Sequence, residues 1–211
     1  MKLLCHRGVW KAPNEKNSAA ALNLALDRGL GIETDIRDCD GRLVISHDMP
    51  TCAAFGSLEN LLEHYQKGAS RSTLALNIKS DGLQNKLKDA LSTHGVTNYF
   101  VFDMSVPDTL GYRGVDMNFA VRLSEFESES PLLESASHVW LDAFSTEWYS
   151  IDLIRQLIAR GKHVAVVSPE LHRRPHRDWW AALREVDSKG RLHLCTDWVD
   201  EAMEVFDVEK D

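Results

Sequence analysis

The chain has 211 residues, enough for one sizeable core, so a single domain spanning 1–211 is the expectation. Its formal net charge of −8, with no long run of lysine or arginine, lacks the electrostatic footprint of a nucleic-acid groove. No apolar run approaches the ~20 residues of a membrane span, and MKLLCHRGVW does not read as a secretory leader, so the expected location is the cytoplasm.

In chain order, strand-like and helix-like runs alternate. Leu3 to Cys5 is a short apolar strand ending at His6-Arg7-Gly8. Asn17 to Asp27 has helical spacing and stops at Gly29. Gly31 to Ile36 is the second strand, the Asp40-Gly41 pair signals a turn, and Arg42 to Ser46 returns. Leu58 to Tyr65 reads as a helix with Ser57 as its N-cap, set off from Asp48 by a short segment from Met49 to Gly56. Thr73 to Ile78, Tyr99 to Met104, Phe119 to Leu123, Val139 to Phe144, His163 to Val167 and Leu192 to Thr196 are further strands. Helices are expected at Leu83 to Leu91, Pro107 to Leu110, Ile151 to Ala159, Trp179 to Val186 and Asp200 to Phe206; an acidic segment follows the fifth strand.

Eight strand–helix units in about 200 residues suit an α/β chain built as a doubly wound sheet or a (β/α)8 TIM barrel. Polar residues gather at the C-terminal ends of the strands, where barrel active sites are built. No GxGxxG or phosphate-loop pattern marks the switch point of an open sheet. The reading is a single TIM barrel. The cysteines Cys5, Cys39, Cys52 and Cys195 include no CxxC pair, and disulfides are rare in a cytosolic chain. Cys5 and Cys195 read as buried small hydrophobes.

The chemistry centres on Gly31 to Asp48. Glu33 and Asp35 are two apart on a strand, so both point to one face. Two carboxylates converging in a barrel mouth repel unless a cation or proton sits between them. Hard oxygen ligands favour Mg²⁺ or Ca²⁺; local pairing with Arg7 or Arg37 is the plainer alternative. The hairpin brings His47 back towards Asp35, provided its register holds. His6 ends the neighbouring first strand, and Asn77 and Lys79 repeat the two-apart spacing on the third. Two histidines suit general acid–base catalysis, and a cation with Lys79 and Arg7 suits an anionic substrate oxygen. Together these parts suit attack at phosphorus. Ser168 to Arg173, within the basic cluster 172–177, suits either a lid over a ligand or a solvated turn.

The ordered set His6-Arg7-Gly8, Asn17-Ser18, Glu33-x-Asp35, Asp40-Gly41-x-Leu43-Val44, His47-Asp48 and Ile78-Lys79, with Thr196-Asp197 near the end, resembles the glycerophosphodiester phosphodiesterase family. The resemblance implies a TIM barrel and hydrolysis of a small-molecule phosphodiester assisted by a divalent cation. It implies His6 and His47 as the acid–base pair, Glu33 and Asp35 as metal ligands, and Arg7 and Lys79 on the phosphate. It also implies attack by a neighbouring substrate hydroxyl, with a cyclic phosphate that water then opens. Three features depart from the family. Asn77 stands where a third metal carboxylate is expected, so its amide oxygen would complete the ligand set with one less negative charge. Lys16 replaces a glutamate in the usual Glu-Asn-Thr, and the segment after His47-Asp48 is short. The alternatives are a non-catalytic barrel that binds a phospho-ligand, or a metal-dependent barrel enzyme for another phosphorylated substrate.

Overall fold

The computed structural model describes residues 1–50, 56–68, 71–186 and 190–208. Most of the expected short segment between Met49 and Gly56 lies outside the described residues. The elements in chain order are β1 (Lys2–His6), α1 (Ala19–Asp27), β2 (Gly31–Cys39), β3 (Arg42–Ile45), β4 (Gly56–Ser57), α2 (Leu58–Lys67), β5 (Leu74–Ile78), α3 (Gln84–Thr93), β6 (Tyr99–Phe102) and α4 (Val106–Gly114). There follow β7 (Ala120–Leu123), β8 (His138–Leu141), α5 (Ile151–Ala159), β9 (His163–Val167), α6 (Arg177–Arg184), β10 (Leu192–Thr196) and α7 (Val199–Val205).

Eight of these strands form a TIM barrel. Parallel pairing runs β6, β5, β2, β1, β10, β9, β8, β7. The two ends of that run meet at one parallel bridge, Val101 to Phe119, where the Val101 N–H also donates to the Asn118 carbonyl at 3.0 Å. The antiparallel strands β3 and β4 hang from β2 as an added hairpin and lie outside the ring.

Alternation with period two sorts the core into two layers. Leu3, Cys5, Ile32, Ile36, Leu74, Leu76 and Val101 pack outward against the helices. Leu4, Ala75, Phe100, Phe102, Trp140, Ala165, Val167 and Cys195 fill the barrel. Phe102 stacks on Trp140 with centroids 4.0 Å apart, so Trp140 is a packing residue. At the N-terminal floor three interior positions are histidines. His138 lies 4.8 Å from His163 and 6.0 Å from His193, ring centre to ring centre, and stacks on Phe100 at 4.2 Å.

The observed elements extend or trim the expected ones. Helix α1 starts two residues late because Ser18 is its N-cap, its hydroxyl accepting the Ala21 N–H at 3.2 Å. Ser57 occupies the N-cap of α2 without a side-chain bond. The helix expected at Pro107 to Leu110 continues through Tyr112, whose ring is wholly buried, and so reaches Gly114. The acidic segment after β7 holds a single 3-10 turn, Pro131–Glu134. Cys5 and Cys195 are free and buried as expected, whereas Cys39 is disulfide-bonded, against the expectation for a cytosolic chain. No described helix is long and apolar enough to cross a membrane.

Candidate active site

The strand registers set the site. His6 on β1 lies opposite Glu33 on β2, and Asp35 on β2 opposite Asn77 on β5. All four share the interior face at the C-terminal end of the barrel, above the apolar filling. Glu33, Asp35 and Asn77 are buried at 2%, 0% and 7% exposure, so their polar atoms need partners inside the protein or in a ligand.

Three of those atoms have none. Glu33 Oε2, Asp35 Oδ1 and Asn77 Oδ1 are buried without a hydrogen-bond partner. A buried acceptor left unpaired costs about 1–3 kcal/mol, so three at one end of a barrel point to something these oxygens are built to hold. All three are hard oxygen donors, the chemistry that Mg²⁺ or Ca²⁺ takes. The donor set therefore fits a divalent cation. Among the described residues no group of three His, Cys, Asp or Glu is placed to hold a metal ion; the set here has two carboxylates and one amide.

Burial pushes the Glu33 carboxyl up, to about 7, with the Asp35 charge adding to the shift and His6, Arg7 and Lys79 opposing it. Asp35 is more fully neutralised. Arg7 Nε lies 3.0 Å from Oδ2, Asn17 Nδ2 donates to Oδ2 at 2.8 Å, and Lys79 Nζ stands 3.6 Å from Oδ1. The Asn17 amide oxygen in turn accepts from Thr34 Oγ1 at 2.8 Å.

Arg7 reaches this position through an unusual backbone turn. Arg7 and Gly8 both have positive φ, 59° and 93°, and the Arg7 N–H donates to the Glu33 carbonyl at 2.9 Å. A Cβ on Gly8 would stand 2.6 Å from the Ala21 backbone, so glycine is required there twice over.

His6 is oriented from the far end of the chain. Its Nδ1 lies 2.7 Å from Asp197 Oδ1, and Nε2 is 3.9 Å from Glu33 Oε2. Lys16 Nζ pairs with the other Asp197 oxygen at 2.9 Å and lies over the Trp10 ring at 4.4 Å. Burial alone would raise the Asp197 carboxyl; the His6 and Lys16 contacts outweigh it and hold Asp197 below the usual range.

His47 is not drawn in as tightly. It lies two residues past the end of β3, and its carbonyl accepts from Arg37 Nε and Nη2 at 3.1 and 3.0 Å. The ring is half exposed and turned to Asp48, with Nδ1 2.8 Å from Oδ1. Lys79 is shared between Asp35 and Asp103, at 3.6 Å from each.

Asp197, Lys16 and Asn17 had no assigned role in the sequence reading. The signal for Asp197 is ring closure itself: β1 and β10 pair, so a polar residue just after β10 falls beside one ending β1. Across the mouth, Asp142 Oδ1 meets His172 Nε2 at 2.7 Å, and Glu170 binds Ser168 Oγ and Thr196 Oγ1. Arg174 donates to the Ala143 carbonyl at 2.5 Å and Arg177 to Glu201 at 2.8 Å. His172, Arg174 and Arg177 of the basic cluster are thus held by groups of the protein itself.

These features define a barrel with a carboxylate–amide oxygen set, a histidine and two cations at its C-terminal mouth. No protein-family model and no curated protein sequence matches the chain. Solved structures do match over nearly its whole length. A glycerophosphodiester phosphodiesterase from Agrobacterium tumefaciens superposes with a TM-score of 0.71 at 20% identity, covering 97% of this chain and 98% of that one. One from Parabacteroides distasonis gives 0.68 at 18% identity, covering 97% and 95%. An Oleispira antarctica phosphodiesterase in complex with the product sn-glycerol-3-phosphate gives 0.65 at 16%, covering 97% and 96%. The chain has the TIM-barrel fold of these phosphodiesterases.

Proposed function

We propose that the protein is a metal-dependent phosphodiesterase that hydrolyses a small phosphodiester, of glycerophosphodiester type, to an alcohol and a phosphomonoester. The observation that carries this is the trio of buried, unpartnered oxygens on Glu33, Asp35 and Asn77 beside an oriented histidine. Likeness in fold to glycerophosphodiester phosphodiesterases supports it.

Glu33, Asp35 and Asn77 would hold Mg²⁺ or Ca²⁺, which supplies Lewis-acid stabilisation of charge on a phosphoryl oxygen. His6, with Nδ1 engaged by Asp197, presents Nε2 to the mouth as the general base. It takes the proton of a neighbouring substrate hydroxyl as that oxygen bonds to phosphorus, and Asp197 stabilises the imidazolium that forms. His47 gives a proton to the departing alcohol oxygen; its backbone is fixed through Arg37 while its half-exposed ring is free to turn from Asp48. Water then opens the cyclic phosphate to the phosphomonoester, and His6 returns its proton to the ring oxygen that is released. Arg7 and Lys79, one-fifth exposed at the mouth, contact the phosphate and offset its charge.

The test is turnover of glycerophosphocholine and of glycerophosphoethanolamine with Mg²⁺ or Ca²⁺, then with EDTA. Activity should vanish with EDTA and fall at least a hundredfold in Glu33→Gln. Turnover indifferent to both EDTA and His6→Ala sinks the mechanism. One observation favours a second reading, a non-catalytic barrel for a phospho-ligand: Asp35 is already engaged by Arg7, Asn17 and Lys79. Calorimetric binding of a phosphodiester without turnover under either metal would select it.

A further inference from the structure

Lys79 stands between two carboxylates. Its ammonium is 3.6 Å from Asp35 Oδ1 and 3.6 Å from Asp103 Oδ2. The Asp35 oxygen it approaches is the one without a hydrogen bond. A lysine that closed onto that oxygen would serve as a built-in cation and compete with any metal for the same ligand.

Asp103 is in no position to yield the lysine easily. It follows β6 with φ of 71°, a left-handed conformation that a non-glycine residue adopts at a cost. Its Oδ1 accepts from Arg122 Nη1 at 2.7 Å. Arg122 in turn is gripped by Glu127 at 2.5 and 3.2 Å and lies over the Phe144 ring at 5.4 Å. The carboxylate is therefore fixed from behind, with one oxygen left facing Lys79.

We infer that Asp103, held by Arg122, is a positioning residue that keeps the Lys79 ammonium off Asp35 and thereby sets the affinity of the site for a divalent cation. The inference rests on the proposed reading of Asp35 as a cation ligand.

The experiment is calorimetric titration of the full chain with Mg²⁺ and with Ca²⁺, without substrate, for wild type, Asp103→Asn, Lys79→Met and the double variant. Asparagine is chosen because it tolerates left-handed backbone and keeps the shape of the side chain. Asp103→Asn should weaken cation binding roughly fivefold or more, and Lys79→Met should tighten it. In the Lys79→Met background the effect of Asp103→Asn should fall below about twofold, because the carboxylate acts through the lysine. Equal loss in both backgrounds overturns the inference, since Asp103 then acts by its charge alone. No loss in Asp103→Asn overturns it as well. Wild-type protein that binds neither cation overturns the metal reading of the site and the inference with it. Should Asp103→Asn fail to fold, Arg122→Gln supplies the second arm: it frees Asp103 to draw Lys79 closer, tightening cation binding only where Lys79 is present.

Discussion

Three side chains of the barrel mouth stand on left-handed backbone: Arg7, Asn17 and Asp103, with φ of 59°, 61° and 71°. Each conformation costs on the order of 1 kcal/mol or more, and each carries a side chain bonded to a buried or half-buried partner. Asn17 is the clearest case. Its N–H donates to the Arg7 carbonyl at 2.9 Å, while its amide joins Thr34 to Asp35. Asn17→Ala leaves both of those side chains short of a partner, so urea unfolding should register a loss of about 2 kcal/mol. An unchanged midpoint would show that the amide is dispensable. At this scale the sequence was readable where spacing alone decides: Glu33, Asp35, Asn77 and Lys79 alternate along two paired strands, and the register puts Asp35 opposite Asn77. It was not readable where distant segments meet. His6 and Asp197 are 191 positions apart, and nothing local to either announces the other.

Among elements, α1 shows what a single capping side chain contributes. Ser18 Oγ accepts the Ala21 N–H, satisfying one of the donors that open the helix, and α1 packs Leu22, Ala25 and Leu26 into the outer layer. Ser18→Ala should cost about 1 kcal/mol, measured as a shift in the unfolding midpoint with an unchanged denaturant slope. The hairpin after β2 shows the limit of pattern reading. The Asp40-Gly41 turn is legible, and the ladder it closes pairs Ile36 with Ile45 and Cys39 with Arg42. One residue past that ladder the Ser46 N–H still donates to the Asp35 carbonyl, but at the next residue the His47 ring turns to the exposed carboxylate of Asp48. Pairing rules fix side-chain direction inside a ladder and say nothing two residues past it. For the same reason helix α4 outran its expected end: a buried Tyr112 is a tertiary fact, invisible to a pattern of proline and polar residues.

For the molecule as a whole, the histidine floor sets the response to acid. His193 and His138 are buried and His163 is half-buried; burial lowers all three, with His193 brought to about 3. The other charges acting on them are Lys2, Arg191, the N-terminus and one another, all basic. In the unfolded chain each titrates near 6.5. Below that pH the unfolded state binds protons that the folded floor refuses, so stability is full above about 6.5 and falls as the pH drops towards the folded values. Each such proton is worth about 1.4 kcal/mol per pH unit. Glu33 works in the opposite sense, because its raised carboxyl binds a proton in the fold between about 7 and its unfolded value. The histidines outnumber it. Thermal unfolding between pH 6.5 and 5 should show a steep fall in midpoint, and His193→Leu should flatten it by about one proton's share. A midpoint level across that range would mean the floor takes up protons without cost.

The overall barrel was legible because eight alternating units leave few topologies, but the evenness of its hoop was not. Strands β6 and β7 meet at one bridge, Val101 to Phe119, where the other neighbours in the ring share three to five paired positions. By pairing alone that seam is the weakest joint of the ring, so its amides should open more readily than those of the other ring strands, which hydrogen exchange would read. Asp103 leaves β6 on one side of it, and Arg122 belongs to β7 on the other. Their ion pair is therefore a stitch across the weakest joint of the barrel. Opening of the seam would part Asp103 from Arg122 and release the arm that faces Lys79, tying the scaffold's joint to the charge balance at Asp35.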